Sequence, residues 1–474
     1  MSPMRFFTTG KGAGKRQSHQ PPISGATAGT ASLSAKGRRA DFPVQAASTQ
    51  LPHYPFQPLP PPNGPKPYRF DLSQLLSADD VAKISNGVLV FHTVGDTGDY
   101  RDSGPQDLVA QMMTQDAEAL VDDKKPAFYY HIGDVVYFAG DIDKYGDNFY
   151  ETYKDYPIFI VAIPGNHDCQ PDDPQDGPVD PIKYPLDGFV QNFMSKNPGQ
   201  PGSLKTGANR TQMDLPNVFW TFTTPLATII GLFSNVGEDQ GEFHQDQIDW
   251  FHGELAAADP NLALIVAVHH PPFSGDVEHS GSTAVENVLF AGFKTAKRYP
   301  NLILSGHVHN YQRFTNVVQG PKGQLQIPCV VAGAGGYTKL GKVHQINGAY
   351  PSAPLPIGGG LTLEQYDQDN FGFLRLEVSK TQIVGTYLSA PYTAPYSGAA
   401  VTPGVADSFV VDLTNHTVVT GGGGSKPGPK PKPGPNPPKP LKPGPRPPGP
   451  SKTTREEKEA LGTIGRERQI RTPR

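Results

Sequence analysis

Cysteine is nearly absent. The 474 residues hold two, Cys169 and Cys329, too few for a disulfide framework, and neither has a second cysteine at C-x-x-C spacing. That scarcity leaves the compartment open. No run approaches the ~20 apolar residues of a membrane-spanning helix, the longest candidate being the short stretch around Leu226 to Phe233. The start, MSPMRFFTTGKGAGKRQ, lacks the apolar core of a secretory signal, and the Arg38-Arg39 pair leads into ADFPVQAASTQ instead of an apolar segment. With neither a secretory signal nor a span evident, the compartment stays undetermined, the cytoplasm being favoured.

Acid is missing from both ends. Residues 1–40 carry seven Lys or Arg and no Asp or Glu, and residues 421–450 hold thirteen prolines and six basic residues, again with no acid. Segments with this little apolar content cannot offset the entropy of ordering, and the run KPGPKPKPGPNPPKP favours extended polyproline II. The expected organisation is a disordered basic leader over 1–70, read in preference to an organelle transit peptide, a folded domain over 71–415, and a disordered Pro/Gly/Lys-rich tail over 416–474. The first 40 residues contribute +7 and residues 421–474 contribute +9, so the 380 residues between them carry about −20. A body that acidic is ill suited to phosphate backbones, and no nucleic-acid partner is expected. Its carboxylates suit a solvated surface or metal binding.

Within that body, short β-branched and aliphatic runs recur at Val88–Val94, Phe128–Ile132, Ile158–Ile163, Thr228–Phe233, Leu262–Val268 and Leu302–Ser305, the pattern of buried strands. Helical spacing separates several of them, as at 105–120 and 244–255, with Pro105 placed for a first helical turn. This alternation predicts an α/β core. After His309 the texture turns to strands without a long helix, Pro328–Ala332, Phe371–Val378, Thr381–Tyr387 and Ser408–Asp412, which predicts a second sheet built mostly from C-terminal strands. Residues 170–215, rich in Pro, Gly, Asp and Asn, read as an irregular insertion with a short helix around 186–195.

Five of the predicted strands are followed at once by polar, metal-capable residues, where open α/β sheets place ligands. In order they are V-G-D-T-G with Asp96, G-D-V-V-Y with Asp134 and Tyr137, P-G-N-H-D with Asn166, His167 and Asp168, V-A-V-H-H-P-P with His269 and His270, and G-H-V-H with His307 and His309. Any one alone has an ordinary reading, a turn, a helix cap or a hydrogen-bonded core histidine. Together they supply oxygen and imidazole donors for two hard or borderline cations.

At these residues the chain resembles the purple acid phosphatases within the calcineurin-like metallophosphoesterases. That group uses D-x-G, G-D-x-x-Y, G-N-H-[DE], V-x-x-H and G-H-x-H, which stand here as Asp96 to Gly98, Gly133 to Tyr137, Gly165 to Asp168, Val266 to His269 and Gly306 to His309. The resemblance implies a four-layer α/β/β/α sandwich with two mixed sheets flanked by helices. It also implies that Asp96, Tyr137 and His309 bind one ion, that Asn166, His269 and His307 bind the other, and that Asp134 bridges. The wider superfamily has D-x-H at the first block; here Gly98 replaces that histidine and Tyr137 is gained. A phenol of pKa about 10 ionises only beside a strong Lewis acid, so Fe(III) is implied at the Tyr137 site and a divalent Fe, Zn or Mn at the other.

Two such ions clamp a phosphoryl group and activate water for in-line displacement. By the same resemblance, His167 contacts the phosphate and His279 protonates the leaving group. Glu278 replaces a family histidine, Gln312 replaces a glutamate, Asp168 is expected to orient another group, and His270 is a second-choice ligand. The resemblance runs on through G-H-V-H-N-Y-Q-R to Arg313 and V-V-A-G-A-G-G-Y to Tyr337. The implied substrate is a phosphorylated small molecule or peptide, as a monoester. The alternatives are a phosphodiester at the same site, or an interaction protein with a vestigial fold recruited through tail spacings such as Pro435 to Pro438, where basic residues could also meet anionic surfaces.

Overall fold

The computed structural model describes residues 37–45, 59–98, 101–121, 124–169, 186–200, 210–234 and 241–420. Most of the expected tail, with Pro435 and Pro438, most of the expected leader and much of the 170–215 insertion lie outside them, whereas the tail's first residues, Thr417–Thr420, form a strand.

In chain order the elements are β1 (Arg69–Asp71), α1 (Ala78–Asn86), β2 (Leu89–Val94), α2 (Gly104–Ala119), β3 (Phe128–His131), β4 (Ile160–Ala162), α3 (Asp187–Phe193), β5 (Trp220–Thr223), β6 (Ala227–Leu232) and α4 (Gln245–Ala257). They continue with β7 (Ala263–Val268), α5 (Thr283–Ala296), β8 (Leu302–Ser305), β9 (Tyr311–Gly320), β10 (Gly323–Ala332), β11 (Leu355–Gly358), β12 (Leu361–Asp367), β13 (Phe371–Val378), β14 (Gln382–Ala390), β15 (Gly404–Asp412) and β16 (Thr417–Thr420). Local chemistry marks several starts. Ser77 accepts from the Asp80 amide at the head of α1, Ser282 accepts from the Val285 amide at the head of α5, and Pro105 occupies the first turn of α2, the serines supplying an acceptor for an amide that a helix start leaves unpaired and the proline removing one such amide.

Two mixed sheets form. One runs β1-β5-β6-β7-β8-β10-β9-β12-β11 and the other β16-β15-β14-β13-β2-β3-β4. They face each other through aromatic side chains: the rings of Phe128 on β3 and Phe222 on β5 lie 4.7 Å apart, Tyr130 stacks on Trp220 at 5.7 Å, and Trp220 Nε1 donates to Ala162 O at 3.0 Å. Helices α4 and α5 pack together on the first sheet's side, and α2 lies against β13 of the second. The α/β sandwich with two mixed sheets and flanking helices is therefore the observed architecture.

A buried ion pair joins the sheets far from the aromatic seam. Arg313 on β9 forks onto Asp407 of β15 at 2.6 and 3.0 Å, and Tyr311 Oη donates to the same carboxylate at 2.7 Å. The two charges face each other through both carboxylate oxygens, the pairing that lets such groups be buried.

The structure redistributes the strands that the sequence suggested. β9 to β12, which follow His309, extend the first sheet because β10 pairs in parallel with β8, while β13 pairs antiparallel with β2. The early parallel strands are thus divided, β2 to β4 in one sheet and β6 to β8 in the other. Pieces of the expected leader also belong to the folded body. Phe42 is fully buried, Val44 nearly so, and Arg39 N–H donates to Ile357 O at 2.8 Å.

His131 ends β3 in a sealed environment. Its Nε2 lies 2.9 Å from Thr97 Oγ1, its Nδ1 accepts from the Gly133 amide at 3.3 Å, and burial pushes its pKa down to about 3. In the unfolded chain the imidazole titrates near 6.5. Below that pH the unfolded state takes up a proton that the folded state refuses, so stability falls as pH drops from 6.5 toward 3, by about 1.4 kcal/mol per pH unit. Urea unfolding at pH 6.5 and 5 should show about 2 kcal/mol less of this loss in His131→Gln than in the wild type; equal pH slopes in the two proteins would refute it.

Candidate active site

Each ligand candidate leaves the carboxyl end of a parallel strand, and the two sheets contribute to one rim. Asp96 follows β2, Asp134 and Tyr137 follow β3, Asn166 and His167 follow β4, His269 follows β7, and His307 and His309 follow β8. The turns that redirect these side chains are conformationally costly. Asp96, Asp134 and His307 adopt left-handed φ of 58°, 54° and 67°, a region where a non-glycine residue loses on the order of 1 kcal/mol or more. Close approach explains two glycines: a Cβ on Gly165 would strike the Asp134 carboxylate, and one on Gly133 would strike the His269 ring.

The donor atoms gather in two halves. In the first, Tyr137 Oη lies 2.8 Å from Asp134 Oδ2, 3.2 Å from Asp96 Oδ1 and 3.3 Å from His309 Nε2. In the second, Asn166 Oδ1 lies 3.1 Å from His269 Nε2 and 3.0 Å from His307 Nδ1. Asp134 joins them, since its Oδ2 is also 3.3 Å from His269 Nε2. Asp96, Asp134 and His269 each offer a ligand atom, and these atoms fall within 4.8 Å of one another.

This crowding fits cations better than it fits hydrogen bonding alone. A single phenolic proton on Tyr137 satisfies one of its three neighbours. His269 Nδ1 faces Ile132 O at 2.8 Å and must donate there, so it is Nε2, on the Asn166 and Asp134 side, that offers a lone pair to a cation once its proton is displaced. The buried Asn166 Nδ2 has no hydrogen-bond partner among the described residues, consistent with an amide oriented by what its oxygen meets. Oxygen and nitrogen donors in this mixture suit borderline cations.

Electrostatics point the same way. Burial pushes the Asp96 carboxyl well above its usual range, relieved by His269 and aggravated by Asp134. Burial also opposes charge on Asp134, yet the imidazoles of His269 and His167 hold it well below normal. His269 is disfavoured as a cation by burial, but Asp134 and Asp96 override this and lift it to about 9. His307 and His309 are driven well below 6.5 by burial and by neighbouring imidazoles, which leaves them neutral. Tyr137 is raised well above 10 by burial and by both carboxylates.

Around this centre, His167 Nδ1 contacts Phe138 O at 2.8 Å and its ring lies 4.4 Å from that of Tyr137. His279, half-buried, sets its ring 4.9 Å from His307 and 5.0 Å from His309. The His279 loop is held from both sides. Asp276 Oδ1 accepts from the amides of Glu278 and His279 while its Oδ2 accepts from Asn310, and the N-terminal segment lies over the loop, with Ser274 N–H donating to Val44 O at 3.1 Å and Gln45 Nε2 to Pro272 O at 3.0 Å. Gln45 and Arg38 then both bond Glu286 of α5.

His270 is buried with Nδ1 2.7 Å from Ser234 Oγ and its ring 4.2 Å from that of His307. Glu278 points outward to Lys339 Nζ at 2.6 Å, and Gln312 accepts from the Gly275 amide at 2.8 Å. Of two residues singled out only as ends of motif runs, Tyr337 packs 4.5 Å from the Tyr137 ring and 4.4 Å from that of His309, whereas Arg313 lies in the inter-sheet ion pair. Asn310, inside G-H-V-H-N-Y-Q-R, is the member of that run whose contact with Asp276 the sequence did not single out.

With the fold and the centre in hand, comparison with known proteins places the chain. The family model for calcineurin-like phosphoesterases matches residues 69–311, and the chain belongs to that family, whose members hydrolyse phosphate esters at a dinuclear metal centre. No curated protein matches the chain. Among solved structures it is similar to GAP50, the anchor in the inner membrane complex of Plasmodium (17% identity, 68% of this chain and 89% of that one, TM-score 0.42), and to PhoD (13%, 70% and 71%, 0.46). It is also similar to a dimetal phosphatase from Danio rerio (10%, 65% and 100%, 0.38). Among the described residues no helix is long and apolar enough to cross a membrane.

Asp168 ties the two loops together. It accepts from the amides of Val135 at 3.0 Å and Gly165 at 2.8 Å, and burial with the nearby Asp134 charge raises its pKa to about 7. Asp168→Asn replaces an acceptor oxygen by an amide nitrogen facing N–H groups. Metal titration should then show roughly 10- to 100-fold weaker binding, whereas an unchanged isotherm would mean the loops do not need this tie.

Proposed function

We propose that the chain is a phosphomonoesterase whose residues hold an Fe(III) and a divalent Fe, Zn or Mn ion. Asp96, Tyr137 and His309 would hold the first ion and Asn166, His269 and His307 the second, with Asp134 between them. The observation that carries this reading is the position of one Asp134 oxygen, 2.8 Å from Tyr137 Oη and 3.3 Å from His269 Nε2, in reach of both halves. When bound, the ions supply Lewis acidity that activates water and offsets charge on the phosphoryl oxygens.

The chain's own groups have distinct tasks. Asp134 and Asp96 provide the negative charge that a multivalent pair requires, and the neutral imidazoles of His307 and His309 add donors without adding charge. The Ile132 carbonyl holds His269 in its productive tautomer. His167 lies beside Asn166 and Tyr137, placed to contact a phosphoryl oxygen. His279, on a loop tethered by Asp276, faces the His307 and His309 side of the centre and would give its proton to the departing alkoxide. The purple acid phosphatase-like pattern at all seven ligand positions supports a dinuclear phosphoesterase centre, and the monoester class follows from that resemblance.

Two experiments test this. Fe(III) bound by a tyrosinate absorbs in the visible, so iron-loaded wild type should be coloured and Tyr137→Phe should lose the band while still binding a divalent ion; a colourless wild type that contains iron would remove Fe(III)–Tyr137 from the reading. Steady-state hydrolysis by His279→Asn should fall by about 100-fold or more for an alkyl phosphate and much less for p-nitrophenyl phosphate, whose leaving group needs no proton. Equal losses on both esters would exclude His279 as the acid, and faster turnover of a matched diester would displace the monoester assignment.

A further inference from the structure

The opposite end of β4 carries a second constellation that the hydrolytic site does not use. Arg210 is buried, with 8% of its surface exposed. Its guanidinium donates to Ile158 O at 2.8 Å and sits 5.7 Å from the Tyr156 ring centroid, but Nε has no hydrogen-bond partner and no carboxylate pairs with it among the described residues. A guanidinium stays protonated under all ordinary conditions, so among the described residues this is a buried charge without a counter-charge. Such charges are costly to keep, and pairing or coordination is the usual solution.

Arg210 lines a cavity of about 150 Å³. Phe149, Phe193 and Met213 form apolar walls and are themselves buried, whereas Phe159 at the cavity is 41% exposed. Tyr150 Oη donates to Asn192 Oδ1 at 2.9 Å, and Asn192 Nδ2 donates to Gly188 O at 2.8 Å, which fixes the polar wall. The surroundings combine one fixed cation with aromatic surface and space.

We propose that this cavity binds a small organic monoanion, a carboxylate on an aromatic ring, with Arg210 as the anchor. Charge selects the class, because among the described residues no other Lys, Arg or His lines the cavity, and one guanidinium balances a carboxylate but not a phosphate dianion. Geometry agrees, since the planar fork of arginine matches two carboxylate oxygens. Size agrees too: an apolar cavity of about 150 Å³ accepts a benzene ring. The cavity sits at the amino end of β4, whereas Asn166 and His167 follow its carboxyl end, so occupancy there would be separate from ester hydrolysis and independent of the reading proposed above.

The test is a calorimetric titration of the full-length, metal-loaded protein with benzoate, benzamide and inorganic phosphate. Benzoate should bind the wild type about tenfold or more tightly than its neutral isostere, Arg210→Met should lose that advantage while hydrolysing p-nitrophenyl phosphate at the wild-type rate, and phosphate should not displace benzoate. Equal binding of benzoate and benzamide, unchanged benzoate binding by the methionine variant, displacement by phosphate, or no binding at millimolar benzoate would each overturn the proposal. If Arg210→Met does not fold, Arg210→Lys is read in the same titration. Lysine keeps the charge but not the fork, so benzoate binding should weaken, and full retention would count against the bidentate anchor.

Discussion

Two carboxylates, Asp96 and Asp134, sit with no exposure in a space shared with five imidazoles, a phenol and an amide. Neither has an arginine or lysine bonded to it among the described residues. Removing such groups from water costs several kcal/mol per charge unless something positive returns it, and here the return comes in part from His269, which the carboxylates hold as a cation in the absence of metal. The rest of the architecture serves that constraint. Left-handed turns at Asp96, Asp134 and His307 bring the side chains inward, glycines at 133 and 165 clear the space, and the Asp168 carboxylate clasps the two loops that carry Asp134 and Asn166. A site assembled at this cost is stable once cations occupy it, which is why binding and folding are expected to be coupled in such centres.

Much of this was readable from the sequence, and the reason is local. A buried parallel strand needs a continuous apolar run, and a strand end that redirects the chain needs glycine beside a short polar residue, so β2, β3, β4, β7 and β8 and the residues that follow them stand out within windows of about ten residues. Asp96, Asp134, Tyr137, Asn166, His167, His269, His307 and His309 were found this way and converge in space, and His279 arrives beside them on its own loop. Their division between two sheets was not readable, because which strand pairs with which depends on crossovers that leave no mark in a short window. The β9–β10 hairpin was recognised only at Pro328–Ala332, since its outer half, beginning G-Q-L-Q, carries no buried side chain until Ile327.

Tyr137 and Gly98 illustrate a different kind of legibility. A Cβ on Gly98 would come within 2.6 Å of Val135 O and 2.9 Å of Val136 Cα, so this loop is drawn against the segment that brings Tyr137 into the centre. The glycine at the first block and the tyrosine at the second are thus two sides of one packing arrangement. What the sequence could not expose were residues whose role is to hold others, such as Asn310, or Phe42 and Val44, two apolar side chains in a stretch otherwise typical of an unfolded leader.

That last pair has a consequence for how the protein is made. Gln45 reaches Pro272, and Gln45 and Arg38 bond to Glu286, partners separated by 227, 241 and 248 residues, so this segment cannot complete its contacts until α5 has left the ribosome. At translation speeds of about 5 to 20 residues per second that interval is roughly 10 to 50 s. The wall beside His279 closes only when these two distant parts of the nascent chain meet.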